Sequence, residues 1–289
     1  MKILLTGAQG TLGGDIVRTF EEKGDKVIKT DKGTLDITNK DAVWRAVQEA
    51  KPNAIINAAA FNAVDKVEDP EFYDLAFAVN AMGPRNLAEA ADAFSIPFVH
   101  YSSDYVFDGE KKEGYTEEDI PNPISKYGET KAEGERQVLG MKGNVYVCRL
   151  SKIFGKRGSS PEAKESFVHL MLRLAAEKPE LNIVNEEVGS PGYTKDIAQA
   201  TYKLLHEEYP HGVYHLFNDG PGITWYEFAQ EVFDLAGVTT PYHPVPSSAF
   251  PRAATPPKFG ALLNTKFPAL QSRNSALEEF LKAEGLLKN

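Results

Sequence analysis

A seven-residue turn, Gly7-Ala8-Gln9-Gly10-Thr11-Leu12-Gly13, restricts this chain more than any other feature. Before it stands a short apolar run, Lys2–Thr6, of the length and composition of a buried strand. After it, Ile16, Val17 and Phe20 recur at helical spacing. Glycines between a strand and a helix permit a tight turn and let backbone N–H groups approach phosphate oxygens at the helix N-terminus. The spacing is Gly-x-x-Gly-x-x-Gly rather than Gly-x-Gly-x-x-Gly. A glycine-rich turn that binds nothing is the plainer alternative, and the flanking strand and helix weigh against it. The implied ligand is a dinucleotide, held by Gly7, Gln9, Gly10, Thr11, Leu12 and Gly13.

The next segments extend the pattern. Residues 26–31 read as a second strand ending in Asp31, roughly 20 residues past the glycines, where a carboxylate accepts from ribose hydroxyls. That favours NADH and repels the 2′-phosphate of NADPH, although Lys29 and Lys32 soften the repulsion. The alternative is a plain turn aspartate. Leu35-Asp36-Ile37-Thr38 places Asp36 and Ile37 near an adenine, and 39–50 reads as a helix with Val43, Trp44 and Val47 inward. Residues 54–60 form a third strand running into Ala58, Ala59 and Ala60, whose small side chains admit a cofactor over the strand end or simply a tight strand–helix junction. Residues 70–94 read as one long helix with an irregularity at Gly83-Pro84. Asn80 lies within it, either orienting backbone near the cofactor or facing solvent.

The chemistry concentrates between 101 and 131. The apolar run Ile96–His100 predicts a strand ending at Tyr101, followed by Ser102 and Ser103. Strand ends are where ligands bind in open α/β sheets. A loop over 108–123 is long enough to be functional. Residues 124–140 then read as a helix carrying Tyr127 and Lys131, whose Cβ atoms lie about 6 Å apart on one face. A cation there favours tyrosinate and lowers the phenol pKa toward working pH, making Tyr127 a general acid or base. A surface helix with an unpaired Tyr and Lys is the bland alternative. With 144–150 as the next strand, residues 1–150 alternate strand and helix. That predicts an α/β fold, a Rossmann-type doubly wound parallel sheet with helices on both faces.

Residues 151–289 predict a smaller C-terminal α/β substrate-binding domain. Helices are expected over 163–177, 194–208, 225–236 and 275–285, and strands over 181–184 and 213–217. The helix over 194–208 is expected to pack back on the first domain. Thr224 with Glu227 forms a capping-box pattern, and 238–275 is proline-rich with little periodicity. The net charge of −9, from 32 basic and 41 acidic residues, argues against a nucleic-acid or anionic-membrane partner. Nothing approaches a membrane span, and the first apolar run is cut by Gly7, so a cytoplasmic enzyme is expected. Cys148, the one cysteine, lies in an apolar run and reads as a small buried hydrophobe. The six histidines show no metal-ligand spacing, so no metal site and no histidine role are assigned.

At this point the chain resembles the extended short-chain dehydrogenase/reductases, and within them the dTDP-4-dehydrorhamnose reductase family. The matching pieces are Thr6–Gly13, Leu35–Thr38, Asn57–Ala60 with Val64-Asp65-Lys66, Val79-Asn80-Ala81, Tyr101–Gly109, Tyr127–Lys131, Gly212–His215 and Trp225–Ala229. The resemblance implies nicotinamide-dependent reduction, by NADPH or NADH, of a 4-keto group on a deoxysugar nucleotide. It implies that Ser103 bonds the keto oxygen, Tyr127 donates the proton, Lys131 holds the nicotinamide ribose, and Asp104 and Tyr105 contact the sugar. It also implies a homodimer, in some members with Mg²⁺ at the interface. Two positions depart from the family pattern. Lys152 replaces an aromatic that packs on the sugar, and is expected to reach into the cleft. Pro256–Gly260 lacks the family's late Arg and Ser. A dehydratase or epimerase is the related alternative, but Tyr105 stands where dehydratases carry an acid. A non-catalytic subunit resembling the methionine adenosyltransferase β-subunit is a second, disfavoured by Ser103, Tyr127 and Lys131.

Overall fold

The computed structural model describes residues 1–288. The first half runs β1 (Lys2–Thr6), α1 (Thr11–Glu22), β2 (Lys26–Thr30), α2 (Lys40–Ala50), β3 (Ala54–Asn57), α3 (Pro70–Phe77), α4 (Gly83–Ala93), β4 (Phe98–Ser103), α5 (Lys126–Leu139) and β5 (Val145–Leu150). The second half runs β6 (Ile153–Phe154), α6 (Phe167–Glu177), β7 (Leu181–Val184), β8 (Gly192–Tyr193), α7 (Thr194–His206), β9 (Gly212–His215), α8 (Trp225–Ala236), β10 (Tyr242–Val245) and α9 (Arg273–Ala283). Six strands form one sheet in the order β2-β1-β3-β4-β5-β9, every pair parallel. Helices cover both faces, so Ile3, Leu4, Leu5, Ile55 and Ile56 are all buried and these strands show no polar alternation. The order reverses at β1, with β2 on one side and β3 on the other. A cleft therefore opens at the carboxyl ends of β1 and β3.

The sheet does not close at residue 150. β9 returns from the second half to pair with β5. α7 sets Ile197, Ala198 and Leu204 into the same core as Ile16 and Phe20 of α1. The remaining elements build a second core around Phe154, Phe228, Phe233 and Phe280, with β7 paired to β10 and β6 to β8. The Thr224–Glu227 capping box is present at the start of α8.

Three segments differ from the sequence reading. The expected long helix over 70–94 is α3 and α4 joined by a π turn at Ala78–Met82. The irregularity thus precedes Gly83-Pro84, because Pro84 sits in the first turn of α4, where its missing N–H costs no bond. α6 begins at Phe167 rather than 163, capped by the Ser166 hydroxyl, which accepts from the His169 N–H. The proline-rich stretch 238–275 contains β10, with Pro244 tolerated in a two-stranded sheet.

α5 is fastened to the sheet by a buried ion pair. Arg149 donates to Glu135 through Nε (2.9 and 3.2 Å) and Nη2 (2.7 Å), and the two side chains are 3% and 2% exposed. The guanidinium also lies 5.0 Å from the Phe107 ring centroid. Removing one member leaves the other charged and dry. Glu135→Ala should therefore lower unfolding free energy by roughly 3–5 kcal/mol. Urea denaturation measures this, and a loss below about 1 kcal/mol, the scale of an exposed pair, would contradict it.

Candidate active site

α5 starts where Ser125 caps it, the hydroxyl accepting from the Gly128 N–H at 3.1 Å. Tyr127 and Lys131 follow, both buried on the face toward the end of β4. The helix lies unusually close. A Cβ on Gly128 would stand 2.2 Å from the Tyr105 carbonyl oxygen, and one on Gly134 2.3 Å from that of Asn80. The Tyr105 and Tyr127 rings meet edge to face at 5.4 Å.

The electrostatics differ from the sequence expectation. Lys131 does not depress the Tyr127 phenol in this structure. Burial, then the Asp104 carboxylate, raise its pKa well above the ordinary value, with the Ser103 hydroxyl opposing. Desolvation penalises the charged phenolate more than the helix neighbour favours it. Tyr127 is thus protonated at neutral pH, the state a proton donor requires. The Lys131 Nζ donates instead to the Tyr101 carbonyl oxygen at 2.7 Å. Burial lowers the Lys131 pKa to about 8, with Glu135 opposing.

Ser103 has one proton, and it goes to Asp104 Oδ1 at 2.9 Å, while its oxygen accepts from the Tyr105 N–H at 3.2 Å. Asp104 is buried, and its other oxygen accepts from Ser151 Oγ at 2.5 Å. Burial raises the Asp104 pKa, and the Ser151 and Ser103 bonds and the Lys152 charge pull it back. Lys152 has a left-handed backbone, φ 37°. Its ammonium donates to the Glu187 and Ile223 carbonyl oxygens at 2.6 and 3.0 Å and lies 4.1 Å from the Trp225 ring centroid. Two of its three protons are therefore committed to protein, and the ammonium sits over an indole. Burial lowers its pKa to about 7, with Asp104 and Glu187 opposing.

Sequence reasoning missed Ser151, Glu187 and Arg252. Glu187 accepts from Arg252 Nη2 on one oxygen and from Trp225 Nε1, at 3.1 Å, on the other. The Arg252 guanidinium acts on the Tyr105 phenol, opposing the rise that burial imposes. The Ala254 N–H donates to Asp65 Oδ1 at 3.1 Å and ties this segment across to the first half. No local pattern marks these residues, since each partner lies far away in the chain.

The glycine turn fits a dinucleotide. Gly7 has φ +70°, and a Cβ there would stand 2.6 Å from the Ala58 and Ala59 backbone. α1 has no side-chain cap and no acidic residue in its first turn, so its N-terminus favours an anion, with the Gly158 backbone lying beside it. Gly13 lets α1 press on Gly7, and Leu12 is core. Asp31 faces a cleft of about 300 Å³ lined also by Gln9, Arg18, Lys29 and Ser159. Its carboxylate accepts from Gln9 Nε2 at 2.6 Å and from the Gly33 N–H at 2.9 Å. The Asn80 amide is used up within the protein. It accepts from the Phe61 N–H at 2.8 Å and donates to Phe61 O and Thr130 Oγ1, both at 3.0 Å. It therefore positions the chain just past Ala58, Ala59 and Ala60. Asp36 accepts from the Thr38 N–H at 2.9 Å, and Ile37 is buried against Gly83. These two shape the loop before α2. Among the described residues no His, Cys, Asp and Glu cluster could hold a metal ion.

Comparison with known proteins bears on family and fold. The family described as RmlD substrate binding domain matches residues 1–283. A dTDP-4-dehydrorhamnose reductase from Aggregatibacter actinomycetemcomitans is 39% identical over 241 residues, 81% of this chain and 79% of that protein. The crystal structure of a dTDP-4-dehydrorhamnose reductase from Clostridium acetobutylicum is 40% identical, with TM-score 0.92 over 99% of this chain and 100% of that one. One from Bacillus anthracis, in complex with NADP, is 34% identical, with TM-score 0.91 over 98% of this chain and 99% of that one. Matched along nearly its whole length in sequence and in shape, the chain belongs to the RmlD substrate binding domain family, within the short-chain dehydrogenase/reductase superfamily.

Proposed function

We infer that this protein is an NAD(P)H-dependent reductase of the 4-keto group of a deoxysugar nucleotide, converting dTDP-4-dehydro-L-rhamnose to dTDP-L-rhamnose. The observation that carries the reading is a buried, protonated Tyr127 beside Ser103 at a strand end, with the Lys131 ammonium on the same helix face. The relatives' names supply the substrate.

Bound dinucleotide supplies the hydride. It would be held by the glycine turn, by Asp31 and by Lys131. The chain's own part is to place the carbonyl and deliver a proton. The Ser103 hydroxyl turns from Asp104 to the keto oxygen, a small rotation of one bond. Tyr127 then gives its proton to that oxygen as negative charge develops there. The phenolate left behind shares a helix face with the Lys131 ammonium, whose protons not spent on Tyr101 O turn to it, while Ser103 stays with the new alcohol oxygen. Asp104, held by Ser151, sets the resting direction of Ser103. Tyr105 and the remaining proton of Lys152 face the sugar. Arg252, with a side chain 33% exposed and Glu187 behind it, is the cation for the substrate's diphosphate. This takes the place of the arginine missing from Pro256–Gly260. The same reading places the enzyme in the cytoplasm with its soluble substrate, as a homodimer; size-exclusion chromatography tests the latter.

The decisive assay is oxidation of NADPH or NADH with and without the keto-sugar nucleotide. Tyr127→Phe keeps the ring and removes the proton, so turnover should fall by at least ~10²-fold while cofactor affinity holds. Turnover near wild type would remove Tyr127 from the chemistry. Asp31→Ala should weaken NADH and spare or improve NADPH, because the carboxylate accepts from a 2′-hydroxyl and repels a 2′-phosphate. Equal effects on both cofactors would place Asp31 outside the site.

A third expectation concerns pH. The Lys131 pKa is lowered to about 8, so its amine is charged below that pH and neutral above it. Loss of the charge withdraws support from the phenolate. kcat/KM, which reports the free enzyme, should therefore fall as pH rises through about 8. Lys152 also titrates low, near 7. If the falling limb vanishes in Lys152→Met, it belongs to Lys152 and the assignment to Lys131 fails.

A further inference from the structure

Residues 156–166 join β6 to α6 and so belong to the second half of the chain, yet they bind the first half. The Gly158 N–H donates to Thr11 Oγ1 at 3.3 Å, and the Ser160 N–H to the Gln9 carbonyl oxygen at 3.0 Å. Backbone rests on backbone here. A Cβ on Gly158 would stand 2.2 Å from Gln9 O and 2.8 Å from Thr11 N. Further along, Lys164 Nζ donates to Asn62 O at 2.8 Å, with Asp65 acting on its charge. Between these ties, Ser159 forms one wall of the cleft that holds Asp31, Lys29 and Arg18.

The strap therefore touches both segments that would grip a dinucleotide: the glycine turn and the chain just past Ala58–Ala60. Its own footing is light. No residue from Lys156 to Glu165 is buried, and its hold on the first half consists of polar contacts at Thr11, Gln9 and Asn62 rather than packed apolar area. Segments with few buried contacts open at low free energy. α1, by contrast, is locked into the core by Ile16 and Phe20. Of the surfaces around the cofactor cleft, the strap is the one free to move without tearing the core.

We propose that residues 158–164 clamp the dinucleotide. The strap lifts to admit the cofactor and, once down, closes its phosphate-bearing half against the start of α1, with the Ser159 hydroxyl and the Lys164 ammonium as its donors. The cofactor is then held between the two halves of the chain rather than by the glycine turn alone, and its release requires the strap to lift. This rests on the cofactor use proposed above.

The strap carries its own probes, since trypsin cuts after Lys156, Arg157 and Lys164. In the full-length wild type, saturating NADPH should slow cleavage at these bonds at least about tenfold relative to that after Lys142, which is exposed in the turn between α5 and β5, because cleavage tracks the open population. Unchanged or faster cleavage would overturn the proposal, the latter by showing that cofactor and strap compete for one space. The second measurement is NADPH dissociation, followed by nicotinamide fluorescence in stopped flow without any sugar nucleotide. Gly158→Val, which cannot lie on the Gln9 backbone, should release NADPH about tenfold faster, the worth of one or two hydrogen bonds. Lys164→Ala, which removes a tie without crowding, should release it about threefold faster. A circular dichroism melt of each variant without cofactor confirms that it is folded. If both folded variants release NADPH at the wild-type rate, the strap is a fixed tether and no clamp. Failure of the wild type to bind NADPH at all is a different result, which sinks the cofactor reading itself.

Discussion

Everything at this site depends on how closely α5 can approach the ends of β4 and the π turn. Two backbone contacts set the distance, at Gly128 against Tyr105 and at Gly134 against Asn80, both shorter than any Cβ would allow. Attraction then holds the helix there. Arg149 reaches from β5 to Glu135, and Lys131 reaches to the carbonyl of Tyr101. Tyr127 inherits its position from these anchors. Its own hydroxyl has little say, since the ring is fixed by the helix below and by Tyr105 beside it. A second buried chain of bonds aligns the strand ends that face it. Thr6 Oγ1 donates to Asn57 Oδ1 at 2.6 Å, and Asn57 Nδ2 meets His100 Nδ1 at 3.1 Å, across β1, β3 and β4. Burial and the nearby Lys131 charge keep that histidine neutral, so it serves as an acceptor in a structural network.

The same closeness sets the proton inventory. Dry surroundings favour neutral forms, so the phenol of Tyr127 is pushed up while the amines of Lys131 and Lys152 are pushed down. A phenol held protonated is a store of one proton, and an amine near its midpoint at mild pH is a weakly held counter-charge. Asp104 completes the set as the acceptor that keeps Ser103 turned aside at rest. In the proposed reaction, delivering the proton would leave one negative charge on Tyr127, with Lys131 one helical turn away.

The sequence displays what repeats locally. Glycine spacing, apolar runs and the Tyr127–Lys131 interval are short-range signals, and they identify the parallel sheet, the glycine turn between β1 and α1, and the helix that carries Tyr127 and Lys131. What could not be read is what depends on distant partners. The approach of Glu187 to Arg252, 65 residues apart, leaves no mark on either neighbourhood. Lys152 reads as a free ammonium at a strand end, but its positive φ and two carbonyl partners from other loops turn it inward. The direction of the Tyr127 shift was misjudged for the same reason. A helical interval reveals the neighbouring cation, whereas desolvation is a property of the whole surrounding fold. The return of β9 to the first sheet also lies beyond local pattern, since a short apolar run such as Gly212–His215 suits an edge of either sheet.

The two halves are joined so that a hinge between them is costly. Asp15 of α1 accepts from the hydroxyl of Thr194, the first residue of α7, and both are buried. Gly155, at the root of the strap, packs so tightly on Thr194 that a Cβ would overlap its hydroxyl. Just beyond, the Tyr193 N–H donates to Asn218 Oδ1 at 2.6 Å, and Asn218 Nδ2 donates to Asp196 Oδ2 at 2.6 Å. Swinging the second half as a body would break the buried Asp15–Thr194 bond and part α7 from the α1 core. The broken bond would leave an unsatisfied group in a dry place, at a cost of about 1–3 kcal/mol. The halves therefore move as one unit, and admission of a ligand falls to surface segments that bury little. On the cofactor side that segment is the strap over the glycine turn. On the sugar side it is the exposed run 248–253 carrying Arg252, which ends at the Ala254–Asp65 bond, whereas the chain beyond it is bonded back to Gly109, Tyr115 and Glu117. On the proposed reading, a rigid centre with two exposed edges would let cofactor and sugar nucleotide come and go while Ser103, Tyr127 and Lys131 stay in place.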